Sequence, residues 1–125
     1  MKEPNIDVNK PTTNHGATPL MMASWKGHIE IVRALLELPE IDVNLAQFTN
    51  GITSLMAAAS QGRTEIVTLL LRCPKIDIAK KTVKEYDWDI DMTALDFARE
   101  KGHAEIAEAI ELRAQGYLVN SDLTC

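Results

Sequence analysis

The sequence predicts an all-α solenoid of about three stacked helix–turn–helix units. Three observations predict it. The phrase "PNIDVN" at 4–9 returns as "PEIDVN" at 39–44 and "PKIDIA" at 74–79, with Pro4, Pro39 and Pro74 each 35 residues apart. Between the copies stand two near-equal stretches, "GATPLMMASWKGHIEIVRALLEL" at 16–38 and "GITSLMAAASQGRTEIVTLLLRC" at 51–73, and a looser third, "DMTALDFAREKGHAEIAEAIELR" at 91–113. Within them apolar residues recur at i, i+1, i+4 and i+5, the stripe of a helix with one buried face. A unit of this size cannot hide its apolar surface alone, so units must stack.

Each unit opens on a threonine. Thr18, Thr53 and Thr93 can accept from the backbone N–H groups of a first turn. Pro19 follows Thr18 at a position where its missing N–H costs nothing. In the third unit Thr93 and Asp96 form T-x-x-D, a relative of the capping box. Small residues (Ala23, Ala57, Ala58, Ala59, Ala98) fill the first helix and permit close approach of a neighbour. Gly27, Gly62 and Gly102 end it, because glycine takes the left-handed conformation cheaply. A second helix starts at once. Glu30, Glu65 and Glu105 lie in its first turn, at the positive end of the helix dipole. Ile31, Val32, Leu35 and Leu36 form its stripe, and Ile66, Val67, Leu70 and Leu71 repeat it. Pro39 and Pro74 stop it. The I-D-V-N that follows is expected to be extended and to carry the chain to the next unit.

The step from the first unit to the second is 35 residues and from the second to the third 40, so five residues enter between them. They fall in "KKTVKEYDWDID" at 80–91, where Tyr86, Trp88 and Ile90 alternate with Asp87, Asp89 and Asp91. A period of two is strand-like and predicts a hairpin with one aromatic and one acidic edge. Such an edge suits a partner with a basic or apolar groove.

The chain has 125 residues and a net charge of −5, which suits one domain and argues against nucleic acid. No apolar run is long enough to span a membrane, and the start lacks a secretory h-region. Cys73 and Cys125 lack metal spacing and are expected to be free thiols, with Cys73 as a small packing residue. A cytoplasmic location is expected, with the nucleus as the alternative.

These residues resemble the ankyrin repeat family. "G-A-T-P-L-M-M-A-S-W-K-G-H-I-E-I-V-R-A-L-L" followed by "D-V-N" is similar to its pattern almost position by position, over about residues 4–115. The resemblance implies a partial repeat at 1–13, repeats at about 14–47, 48–81 and 88–115, and a tail at 116–125. It also implies extended β-turn fingers and a non-enzymatic module that binds a partner protein. Carried over by position, the partner-binding residues are Asn14, His15, Ala17, Trp25 and Lys26, then Thr49, Asn50, Ile52, Ser60 and Gln61, then Met92, Glu100 and Lys101. Tyr86 and Trp88 of the inserted segment join them, since they would lengthen a finger. No cofactor is implied. In this family an asparagine placed as Asn44 is can be hydroxylated. The pattern also departs from the family. Its histidine after T-P-L, a tie between neighbouring turns, becomes Met21, Met56 and Asp96. Glu105, Glu108, Glu111 and Arg113 make the third unit a polar cap. The opening phrase is the tail of a repeat whose helices are not in the sequence, as in a stretch of a longer array or a chain with an open first face. A structural spacer, or a regulatory domain of a larger enzyme, channel or scaffold, is the alternative role.

Catalytic and metal patterns are weak. D-W-D-I-D starts like a calcium loop, but Met92 stands where such a loop needs glycine and Ala98 where it needs glutamate. No H-E-x-x-H, G-x-S-x-G, P-loop or C-x-x-C pattern occurs. His28 and His103 recur at one position and are expected to bond at helix starts. A monomer is expected, although an open first face with Met22, Ile31 and Leu35 would allow a second copy to pair.

Overall fold

Six short helices in three pairs run through the residues that the computed structural model describes, 7–83 and 91–116. The first unit pairs α1 (Pro19–Lys26) with α2 (Ile29–Leu36), the second α3 (Ser54–Gln61) with α4 (Thr64–Leu71), and the third α5 (Ala94–Glu100) with α6 (Ala104–Ala114). Helix α3 packs against both α1 and α5, and α4 against both α2 and α6. The first helices thus form one row and the second helices another, with unit 2 in the middle.

The local signals act where the sequence places them. Thr18, Thr53 and Thr93 are extended N-caps that accept from the N–H of Met21, Met56 and Asp96 at 3.3, 3.3 and 3.2 Å. Asp96 returns a bond to the Thr93 N–H at 3.0 Å, so the third cap is a full capping box. Gly27 and Gly62 end α1 and α3 at φ 82° and 72°. These two glycines also make room. A Cβ on Gly27 would lie 2.9 Å from the Arg63 guanidinium carbon, and one on Gly62 would lie 2.8 Å from the His103 ring. Arg63 and His103 share one repeat position with His28 and lean back over the preceding unit. Arg63 Nε donates to the Trp25 carbonyl at 3.3 Å, and His103 Nε2 lies 3.3 Å from the Ser60 carbonyl. This corrects the expectation of bonding at the helix start: neither His28 nor His103 caps its own helix with its side chain.

Alanines 57, 58 and 59 are fully buried between units and let α3 approach both neighbours. Leu20, Leu55, Val32, Val67, Leu70, Leu71, Ile106 and Ile110 complete a continuous core. Each such aliphatic side chain contributes roughly 1.5–3 kcal/mol when fully buried.

The recurring phrase does more than extend. Asp7, Asp42 and Asp77 each accept from the N–H two residues on, at 2.9, 3.0 and 3.1 Å, so each copy is a tight turn rather than an extended run. The asparagine then reaches the next copy. Asn9 donates to the Glu40 carbonyl at 2.7 Å and accepts from the Asp42 N–H at 2.8 Å. Asn44 repeats both bonds with the Lys75 carbonyl and the Asp77 N–H at 2.8 Å each. The third copy ends in Ala79 and makes no such clamp. Helices α2 and α4 stop at Leu36 and Leu71, three residues before Pro39 and Pro74.

The two ends differ. Ile31 is 50% exposed, whereas its equivalent Ile66 is 1% exposed beneath unit 1. At the other end, Glu111 replaces Leu36 and Leu71 and pairs with Arg99. Arg113 Nε donates to the Leu71 carbonyl at 3.0 Å, satisfying an end carbonyl of α4. Cys73 is fully buried among the core residues, as a packing residue should be. It is disulfide-bonded, which corrects the expectation of a free thiol. Cys125 lies outside the described residues. No helix among the described residues is long and apolar enough to cross a membrane.

Candidate protein-docking surface

Three turns project between the units, and each is closed at the same two positions. Thr12 N–H donates to the Ala17 carbonyl at 2.7 Å, Gln47 to Ile52 at 2.9 Å and Thr82 to Met92 at 2.9 Å. The first two turns close over five residue steps and the third over ten. The five inserted residues therefore belong to the third finger. Its residues 84–90 lie outside the described residues, and with them Tyr86, Trp88 and the Asp87 and Asp89 of the calcium reading.

The fingers are tied side by side through their backbones. Phe48 N–H donates to the His15 carbonyl at 2.7 Å, and Val83 N–H to the Asn50 carbonyl at 2.9 Å. These bonds join the turns without the histidine that the family carries after T-P-L. Met21 and Met56 stand in its place as buried core residues. Gly16 sits beneath the second finger: a Cβ there would lie 2.7 Å from Phe48 Cγ. Its φ of +90° also favours glycine. Asn50 fixes its own turn by accepting from the Ile52 N–H at 3.0 Å.

The residues singled out from the sequence fall into two groups. Asn14, His15, Trp25, Lys26, Gln61, Glu100 and Lys101 are exposed, while Thr49, Asn50, Ile52, Ser60 and Met92 are half-buried. Trp25, Ser60 and Glu100 occupy one position at the ends of α1, α3 and α5, and Lys26, Gln61 and Lys101 the next. Trp25 is 45% exposed, so much of its ring is left uncovered by the neighbouring unit. Ala17 is buried at the base of finger 1, where its carbonyl receives the Thr12 N–H and hydroxyl.

Sequence reasoning passed over two residues of this surface. Phe48 is 69% exposed and Val83 54%. They stand 35 residues apart, at the position Thr13 holds in finger 1. The signal was present: an apolar residue twice at one position of a polar turn.

Among the described residues no three His, Cys, Asp or Glu side chains gather as metal ligands would. Asp96 is engaged by the Thr93 cap, and His103 lies against the Ser60 carbonyl. A cavity of about 260 Å³ lies away from the fingers, between the end of α2 and the exit phrase, lined by Leu36, Leu38, Pro39, Ile41, Val43 and Cys73.

A family model described as ankyrin repeats (3 copies) matches residues 2–47 and 38–120. No curated protein matches the chain.

Proposed function

The chain belongs to the ankyrin repeat family, and from that membership we propose that it is a non-enzymatic module that docks a partner protein along its fingers and first-helix ends. Ankyrin repeats are generally protein–protein interaction modules. One observation carries the reading to this surface: Trp25, Lys26, His15 and Gln61 are exposed on elements whose backbones are tied to a neighbouring finger or packed on a neighbouring helix. A side chain presented from a fixed backbone loses little freedom on binding, so more of its contact energy appears as affinity. Tryptophan in such a place is a frequent anchor of interfaces. Tyr86 and Trp88 extend the surface by their place in the third finger's sequence. The partner is a protein, not a nucleic acid, and the module works as a monomer.

The half-exposed Ile31 favours a second use, as one stretch of a larger stack in a scaffold, channel or enzyme. Immobilised chain separates the two. Trp25→Ala should lose a captured partner that both the native chain and Glu65→Ala, on the outer row, retain. Capture that Trp25→Ala leaves unchanged would refute docking at this surface.

A further inference from the structure

We propose that Asn50–Gly51, in the turn of the second finger, is a latent modification site: the closed finger holds a labile asparagine unreactive, and opening of the finger releases it to deamidate. The proposal is independent of the docking reading. Asn5, Asn9, Asn14, Asn44 and Asn120 all precede larger residues, and Asn50 alone precedes glycine. Asparagine is thermolabile because the amide nitrogen of the next residue can attack its side chain. Glycine has no Cβ to shield that nitrogen. The Gly51 nitrogen sheds its proton and bonds to Asn50 Cγ, the Cγ–Nδ2 bond breaks, and the side-chain nitrogen leaves as ammonia. Water then opens the cyclic imide at either carbonyl, giving aspartate or isoaspartate.

The finger keeps this pair because its geometry uses both residues. Gly51 has a φ of +74°, and a Cβ there would lie 2.7 Å from the Val83 nitrogen. Asn50 Oδ1 accepts from the Ile52 N–H at 3.0 Å and fixes the turn. In the closed finger the same bonds oppose the reaction. The Gly51 N–H donates to the Gln47 carbonyl at 3.0 Å, which holds the attacking nitrogen in its protonated form. The Asn50 carbonyl accepts from the Val83 N–H at 2.9 Å, so the backbone is not free to turn into the ring. Gly51 is buried and Asn50 half-buried, which limits the approach of base and water. Attack therefore waits for a local opening that breaks these bonds together. Conversion to isoaspartate is then one-way. It routes the main chain through Cγ and turns the carbonyl that held Val83 into a free carboxylate, so the second finger loses its tie to the third. Either product adds one negative charge at the turn.

Peptide mapping by mass spectrometry of the whole chain, incubated in mildly alkaline buffer with and without concentrated urea, provides the test. In urea Asn50 should convert ahead of every other asparagine. In the native chain its conversion should slow at least about tenfold, in step with the hydrogen-exchange protection of the Gly51 and Val83 amides in the same buffer. Val83→Pro removes the N–H that holds the Asn50 carbonyl. It should restore much of the lost rate with helix content unchanged and leave the rate in urea as it was. Native conversion as fast as in urea, conversion in urea no faster at Asn50 than at Asn14, or slowing unrelated to the exchange protection would each overturn the proposal. So would a Val83→Pro chain that converts as slowly as the native one.

Discussion

The exit turns and the fingers share one 35-residue period but use it in opposite ways. At the exits the copies read PNIDVN, PEIDVN and PKIDIA; at the fingers Thr13-Asn14-His15 becomes Phe48-Thr49-Asn50. The difference lies in which atoms make the ties. Exit turns are joined by side chains, since the Asn9 and Asn44 amides clamp the next copy. Fingers are joined by backbone, through Phe48 N–H to His15 and Val83 N–H to Asn50. Where a side chain makes the bond the residue must repeat. Where the backbone makes it the side chain is free to differ, and to meet a partner.

The largest expected effect tests the exit half of this comparison. Asn44→Ala removes two inter-unit bonds, to the Lys75 carbonyl and from the Asp77 N–H, each contributing about 1–1.5 kcal/mol, so it should cost about 2–3 kcal/mol in urea unfolding. A loss within the noise of a surface substitution would break the comparison there. On the finger side, Gly16→Ala should cost about 2 kcal/mol, since φ is +90° and the new methyl meets Phe48, including its backbone nitrogen. Thermal unfolding that does not shift would show that the fingers are looser than described. Ser24→Ala should act in the other direction. Ser24 buries its hydroxyl without a hydrogen-bond partner among the described residues, where unit 2 carries Ala59. Removing it should raise stability by about 0.5–1 kcal/mol, and a loss would reveal a bond this account lacks. The smallest effect belongs to the finger tip: Phe48→Thr should leave stability within about 0.5 kcal/mol. A drop of several times that size would make Phe48 a packing residue and blur the two regions.

What the sequence disclosed follows the same division. The threonine caps, the glycine stops and the apolar stripes were legible because each acts within a few residues of itself. The turn inside I-D-V-N was misjudged as extended because β-branched residues flank the aspartate that closes it. The clamp was invisible because the partners of Asn44 lie 31 and 33 residues away, and only stacking brings them together. The leaning of Arg63 and His103 over the preceding glycine was hidden for the same reason, and histidine after glycine suggested a local cap instead. The disulfide on Cys73 had no spacing signal to announce it. At the proposed docking surface, positions carried over from the family pointed to Trp25, Lys26 and the fingers. They also drew attention away from Phe48 and Val83, whose repetition the period alone would have exposed.

The most direct test of the central claim is a map of amide chemical-shift changes in the labelled chain on adding a captured partner. Changes should gather at residues 13–15, 25–26, 48–50, 60–61 and 83, with the exit turns at 41–44 and 76–79 left still. Changes gathered on α2, α4 and α6 or on the exit turns, with the fingers unmoved, would contradict the account.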